Sequence, residues 1–401
     1  MRTVPGKELK RRERMLLEFA SAPAAAGHER AVEALVEKWA ARRRNLTLRR
    51  DACGNLVVYR RDFARARRSK APLYFTAHLD HPAFVVLSVS GKEARMEFRG
   101  GVLDPYFKGA RVEIFDAGLR RSYPARIISL DASSKPFKTV VARLDGPAPV
   151  KPGCLGRWLF PKSSVKKGLA WTNGCDDAAC VAAALIAYEG ISRDKAMGHA
   201  ALLFTRAEET GFVGAIGAAR GRTLEKNSRL ICLECSRSFP HDSPIGAGPI
   251  VRVGDKMSVF TPELTNAISD IAAAYQKEDP GFRFQRKLMP GGTCEASAFS
   301  FYGLRSACLC LPLGNYHNMA DIDGVQAEQG GIARSRCREL CDRPGKKARV
   351  GQEHVSVADF HGLIDLLGAV ARRLDAPGRG SPRAGMEKIW KERKFVLGSN
   401  P

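Results

Sequence analysis

Apolar residues return at helical spacing over residues 8–20 and again over 29–44, where Ala31, Val32, Leu35, Val36 and Trp39 share one face. Two short apolar runs follow, "GNLVVYR" (54–60) and "PLYFTAH" (72–78), and both read as strands around a basic loop. From Pro82 to about Gly168 the texture changes. "FVVLSVSG", "ARMEFRGG", "RVEIFDAG", "SYPARIISL", "KTVVARLDG" and "GRWLFPK" are closely spaced β-like runs between turn signals, which predicts an all-β module. Alternation then returns. "CDDAACVAAALIAYEGI" predicts a helix, "HAALLFT" a strand, "GAIGAARG" a helix and "RLICLE" a strand. "PELTNAISDIAAAYQKE", "SACLCLPLG" and "SVADFHGLIDLLGAVARRL" continue as helix, strand and long helix.

Strands alternating with helices imply an α/β fold: a mostly parallel mixed sheet sandwiched by helices, interrupted once by the β module. The expected division is 1–82 and 169–374 for the α/β domain, 83–168 for the inserted domain, and 375–401 for a basic tail. The stretch 320–352 and the tail after Leu374 are polar, basic and rich in Gly and Pro, so both are expected to be loop-like.

Composition narrows the classes. Of the 401 residues 44% are apolar, which is the ordinary globular share, and no apolar run reaches the ~18 residues of a membrane-spanning helix. The start "MRTVPGKELKRRERMLLEFASAP" has no long apolar core before a small-residue site, so no signal peptide is read there. The 11 cysteines are scattered, several of them in apolar strands, a pattern of reduced thiols in a cytoplasm. Cys232 and Cys235 have CxxC spacing without a second such pair, which is weak support for a thiolate metal site. The net charge is +23, and residues 1–70 hold 19 Lys/Arg against 8 Asp/Glu. Such a field can attract polyanions. No RNA-binding aromatic signature, zinc finger or basic heptad accompanies it, so a nucleic acid is not the expected partner.

The candidate chemistry lies at strand ends. In a parallel α/β sheet ligands gather outside the carboxyl ends of the strands. His78 and Asp80 stand at such an end, as do Glu208 and Glu209 in "LLFTRAEETGFVGA"; Glu234 closes "RLICLE" and His317 follows "LCLPLGNY". Asp176 and Asp177 begin a predicted helix. Two histidines among several carboxylates form a mixed N/O set suited to zinc, cobalt or manganese. Of two adjacent glutamates, one can bind metal while the other shuttles a proton. An Asp two residues beyond a histidine ligand can fix its tautomer.

In this order the motifs resemble those of the dinuclear zinc aminopeptidases of the glutamyl-aminopeptidase and tetrahedral-aminopeptidase type, within the co-catalytic metallopeptidases. "SAPAAAGHERAV", "DACGNLVVY", "AHLDHPAFVV", "GCDDAAC", "TRAEETGFVGA", "ICLEC", "MPGGTCEASAF" and "LGNYHNM" carry the likeness, and the β module falls where the family inserts a β-barrel. The resemblance implies two divalent metal ions, zinc being the first choice. His78 and Glu234 would be ligands of one, Glu209 and His317 of the other, and Asp176 would bridge them. It further implies Glu208 as general base, Asp80 orienting His78, and a cis bond between Asp176 and Asp177. The implied activity is removal of N-terminal residues from peptides by a two-metal-bound hydroxide, in a cytoplasmic homo-oligomer. Two rivals remain: a deacylase or carboxypeptidase-like amidohydrolase on the same site, and a non-catalytic polyanion-binding protein. The chain departs from the family's pattern at His81, where an acidic residue is usual, and at Glu295, close to where relatives carry Asp. Glu295 could hold a substrate α-ammonium or simply start a helix.

Overall fold

The computed structural model describes residues 5–328, 347–375 and 382–398. Two helices open the chain, Gly6–Ser21 and Arg30–Ala41. Three strands follow: β1 (Leu46–Arg50), β2 (Leu56–Arg60) and β3 (Leu73–His78). Six strands then close a barrel: β4 (Ala83–Ser90), β5 (Glu93–Arg99), β6 (Arg111–Phe115), β7 (Ser122–Asp131), β8 (Lys138–Leu144) and β9 (Leu155–Trp158). These are the six β-like runs of the sequence. Alternation puts Phe84, Phe98 and Trp158 inside, where they meet Phe107 with ring centroids 4.8 to 6.2 Å apart.

After the barrel, β10 (Ser164–Lys166) and β11 (Leu169–Thr172) form a small sheet with β19 (Glu353–Ser356). The chain then returns to the main sheet with β12 (Ala200–Thr205), β13 (Arg229–Arg237), β14 (Ile250–Gly254), β15 (Gln285–Leu288) and β16 (Arg305–Leu313). Its order is β1-β2-β12-β3-β13-β16-β14-β15. The four central strands β12, β3, β13 and β16 run parallel, so their carboxyl ends share one rim. Antiparallel pairs at β1/β2, β2/β12 and β14/β16 make the sheet mixed. Buried on both faces, the central strands are continuous apolar runs rather than alternating ones. The helix Ala178–Ile191 is apolar nearly all round because it lies between the sheet and two other helices, Gly6–Ser21 and Val357–Arg373.

Several expectations need correction. The edge strands β1 and β15 ("LTLRR", "QRKL") escaped because their outer positions are polar. Glu234 does not close β13, which continues to Arg237. Part of the segment expected to be loop-like is ordered: the helix Ile322–Glu328 follows β17 (Met319–Ala320), which pairs with β18 (Arg349–Val350), while 329–346 lie outside the described residues. The tail likewise holds a helix, Pro382–Arg393, and its residues 376–381 and 399–401 lie outside the described residues. No helix among the described residues is long and apolar enough to cross a membrane.

Candidate active site

The rim of the parallel strands collects the polar residues. His78 is the last residue of β3 and is 1% exposed. Its Nδ1 lies 3.0 Å from the backbone carbonyl of Asp80, and its Nε2 is 3.2 Å from Asp176 Oδ1 and 3.7 Å from Glu234 Oε1. His317 sits in the turn Tyr316–Asn318 after β16, at φ +53°. Its Nδ1 lies 2.6 Å from the carbonyl of Gly101, just beyond barrel strand β5. Its Nε2 faces Asp176 Oδ2 at 3.6 Å and Glu209 Oε1 at 3.4 Å. Thus Asp176 offers one oxygen to each ring. The peptide bond between Asp176 and Asp177 is cis. Asp177 occupies the N-cap of its helix without a side-chain capping bond; instead its Oδ2 accepts the backbone N–H of His78 at 3.2 Å.

Glu208 is 8% exposed, and its Oε2 lies 3.9 Å from His78 Nε2. The carboxylate of Asp80 stands 3.5 Å from His78 Nδ1, but its closer partners are the backbone N–H groups of Glu208 (2.9 Å) and Glu209 (3.0 Å). Asp80 therefore reaches the imidazole chiefly through its backbone carbonyl.

Electrostatics follow from burying so many carboxylates together. Burial, then the neighbouring Asp176, pushes Glu234 up to about 7. Burial raises Glu209 to about 7 as well, against the pull of His317. Glu208 is pushed well above its usual range by burial and by Glu234 and Glu209. Burial opposes charge on His317, yet Glu209 and Asp176 outweigh it and lift the ring to about 10.

These groups fit divalent metal ions. A carbonyl oxygen can only accept, so each Nδ1 facing one carries a proton, and each Nε2 is left to face carboxylate oxygen, where it can hold a proton or, in its place, a metal ion. Asp176 Oδ1 and Glu209 Oε1 are buried without a hydrogen-bond donor. Buried carboxylates gathered this closely need positive charge among them. The ligand atoms of His78, Asp176 and Glu234 lie within 4.8 Å of one another, as do those of Asp176, Glu209 and His317. Both sets contain Asp176. Cys232 and Cys235 do not form such a set together: they belong to the cores on opposite faces of the sheet, and Cys235 groups instead with Cys180 and Asp177. Cys235 lies 3.9 Å from Cys180, and all nine cysteines among the described residues are free.

A cavity of about 380 Å³ opens over Asp176, Glu208, Glu209, Glu234 and His317. The barrel contributes Gly101, Val102 and Leu103 to its wall, and Met289, Tyr316, Met319 and Ile322 add apolar surface. Arg252, 3% exposed, also lines it and donates to Ser236 Oγ (3.2 Å) and the Gly292 carbonyl (3.1 Å). Glu295 begins a short helix and does not border the cavity; both of its oxygens are buried without a partner, and burial lifts it to about 7.

Two residues were not legible as site components. Glu353 on β19 accepts the backbone N–H groups of Cys175 (2.6 Å) and Asp176 (3.1 Å), fixing the segment that presents Asp176. Nothing in "EHVS" signals this, because its partners are backbone amides far away in sequence. His81 donates from Nδ1 to the Asp176 carbonyl at 2.5 Å, and its Nε2 lies 3.1 Å from Asn318 Oδ1. Its position next to the His-x-Asp motif was visible; the contact was not.

Residues 150–329 match the M42 glutamyl aminopeptidase family. The matched region is a little under half of the chain and runs from the end of the barrel past His317. The sequence has no significant match among curated proteins. Among solved structures, the Pyrococcus horikoshii TET1 peptidase is 19% identical with a TM-score of 0.65, covering 90% of this chain and 99% of its own. The aminopeptidase APDkam598 from the archaeon Desulfurococcus kamchatkensis is 15% identical with a TM-score of 0.68, covering 91% and 95%. The TET aminopeptidase of a marine sediment archaeon of the Thaumarchaeota is 18% identical with a TM-score of 0.66, covering 92% and 98%. At these identities the likeness establishes the fold, and the M42 match agrees with the resemblance carried by the motifs.

Proposed function

We propose that the protein is a metal-dependent aminopeptidase of the M42 type that removes N-terminal residues from peptides. One observation carries the reading: two buried imidazoles aim their Nε2 atoms at the two oxygens of one aspartate, among further buried carboxylates at the floor of a cavity. His78 and Glu234 would hold one divalent ion, Glu209 and His317 the other, and Asp176 both, with zinc the first choice and cobalt or manganese also suited. Two ions bound there would polarise the scissile carbonyl and the attacking water.

The chain's own residues supply the rest. Glu208, buried at the cavity beside His78, takes the proton from the water on its carboxylate and returns it to the leaving amine. Asp80 holds Glu208 and Glu209 in place through their backbone N–H groups. Gly101 and Asp80 fix the tautomers of the two rings through their carbonyls. The apolar wall excludes water around the scissile bond. The solved relatives named TET include assemblies, the Pyrococcus enzyme forming a tetrahedron or a large octahedral shell, and we propose that this chain also self-associates.

The test compares free peptides beginning with acidic, basic and apolar residues with their N-acetylated twins, in the presence of zinc or cobalt. Cleavage of the free set alone is the expected outcome. Cleavage of the acetylated set moves the protein to the deacylase class, and turnover of neither removes the proposal.

A further inference from the structure

The first part of the loop that carries Glu208 and Glu209 donates none of its N–H groups to backbone carbonyls, although Gly211 and Phe212 further on donate to the Glu208 carbonyl. Over four consecutive residues, 206 to 209, every backbone N–H ends on a side-chain oxygen from elsewhere in the chain. Arg206 N–H donates to Asn55 Oδ1 (3.1 Å) and Ala207 N–H to Glu29 Oε1 (3.1 Å); Glu208 and Glu209 donate to the two oxygens of Asp80. Glu29 and Asn55 are both 0% exposed. Ala207 sits at φ +53°, in the left-handed region that a residue with a Cβ rarely adopts, so an outside restraint is needed to keep it there.

Glu29 is built for that restraint. Its Oε1 also accepts the Gly27 N–H at 2.7 Å, and its Oε2 accepts Arg206 Nε (2.8 Å) and Nη2 (2.7 Å). Four donors thus converge on one carboxylate, two of them from the loop residue immediately before Ala207. Asn55 is held in turn: it donates from Nδ2 to Asp51 Oδ2 (2.8 Å) and to the Gly214 carbonyl (2.9 Å), in the first turn of the helix Val213–Arg220 that follows the loop. A glutamine at 29 offers only one oxygen, and its amide group would meet the two donors of Arg206. This gives a purpose to "GHE" and "DACGN", which stand outside the metal site.

We propose that Glu29 is a positioning residue for Glu208: it holds Ala207 and Arg206 so that the adjacent carboxylate points at the substrate's scissile bond. The inference rests on the aminopeptidase reading above and adds to it a residue that touches neither substrate nor metal.

Glu29→Gln tests it. The expected result is a kcat lower by about 10–100-fold, as for a reacting group displaced by a fraction of an ångström to an ångström. KM should stay within about twofold, since binding contacts are untouched. Both metal ions should remain bound, and amide hydrogen exchange at 207–209 should accelerate. The decisive measurement is a cycle with Glu208→Gln: in that background Glu29→Gln should cost nothing further, because the group it positions has lost its function. An unchanged kcat, an equal loss in the Glu208→Gln background, or loss of metal overturns the proposal. Should Glu29→Gln fail to fold, Arg206→Leu at the loop surface releases the same carboxylate oxygen, and the same criteria apply to it. If the parent protein cleaves no peptide, the aminopeptidase reading fails by itself. The exchange measurement then still decides the restraint: unchanged exchange at 207–209 refutes it.

Discussion

Each residue of the site is defined by what holds its far side. Gly101 fixes a proton of His317 on Nδ1 and leaves Nε2 facing Asp176 and Glu209, where the proposed metal would bind. His317→Ala is therefore expected to lower the metal content by one ion per chain, measured by plasma emission on the purified protein. Unchanged stoichiometry would remove His317 from the ligand set. Glu208→Gln keeps the shape of the side chain and removes its proton acceptor, so both ions should stay while kcat falls by about 10²–10⁴-fold, the usual share of a general base. Away from the site, burial and then the Arg12 charge push His361 down to about 4. The neutral ring is the folded form, and the unfolded chain binds the proton more readily between pH 6.5 and about 4. Stability should fall as pH drops through that window. His361→Gln should flatten this part of the curve in denaturant titrations, and an unaltered slope would exclude His361 as its source.

At the scale of elements, the barrel and the sheet build the site together. The barrel's core is a ring cluster, and Trp158 lies at its centre, 1% exposed, against Phe84, Phe98 and Phe107. Trp158→Ala should cost about 3–5 kcal/mol by leaving a cavity. Its indole Nε1 is buried without a partner, so Trp158→Phe removes an unsatisfied donor along with volume and should cost markedly less. Equal losses in thermal unfolding would contradict this. The strand ends behave differently from the barrel. Their register is set by parallel pairing, Thr205 opposite His78 and Glu234 opposite Cys310, and this pairing places the polar residues on a common rim.

For the whole molecule, the expected consequences are collective. Two ions that bind the folded chain and not the unfolded one add to its stability by mass action. Stripping metal with a chelator should lower the midpoint of thermal unfolding, and re-adding zinc should restore it; a midpoint indifferent to both would count against a metal centre. Self-association predicts a light-scattering mass that is a multiple of 43.8 kDa. A monomer at working concentration would refute it. The charge of +23 belongs to this scale too, since it acts as a field over the surface and not through any one contact.

Much of this was legible in the chain. The period of apolar positions marked the barrel strands and the buried parallel strands, because burial on one face or on two writes different patterns into sequence. Histidines and carboxylates interrupting those runs at strand ends marked the rim, since polar groups there need a function or a partner to offset their burial. What the sequence left open was decided by distance in space. Edge strands such as β15 face solvent and carry no apolar signal. Glu353 and Glu29 act on backbone amides more than a hundred residues away, and an amide has no letter in the sequence. Whether a buried carboxylate is a ligand, a clamp or an orphan depends on which backbone the tertiary fold brings against it.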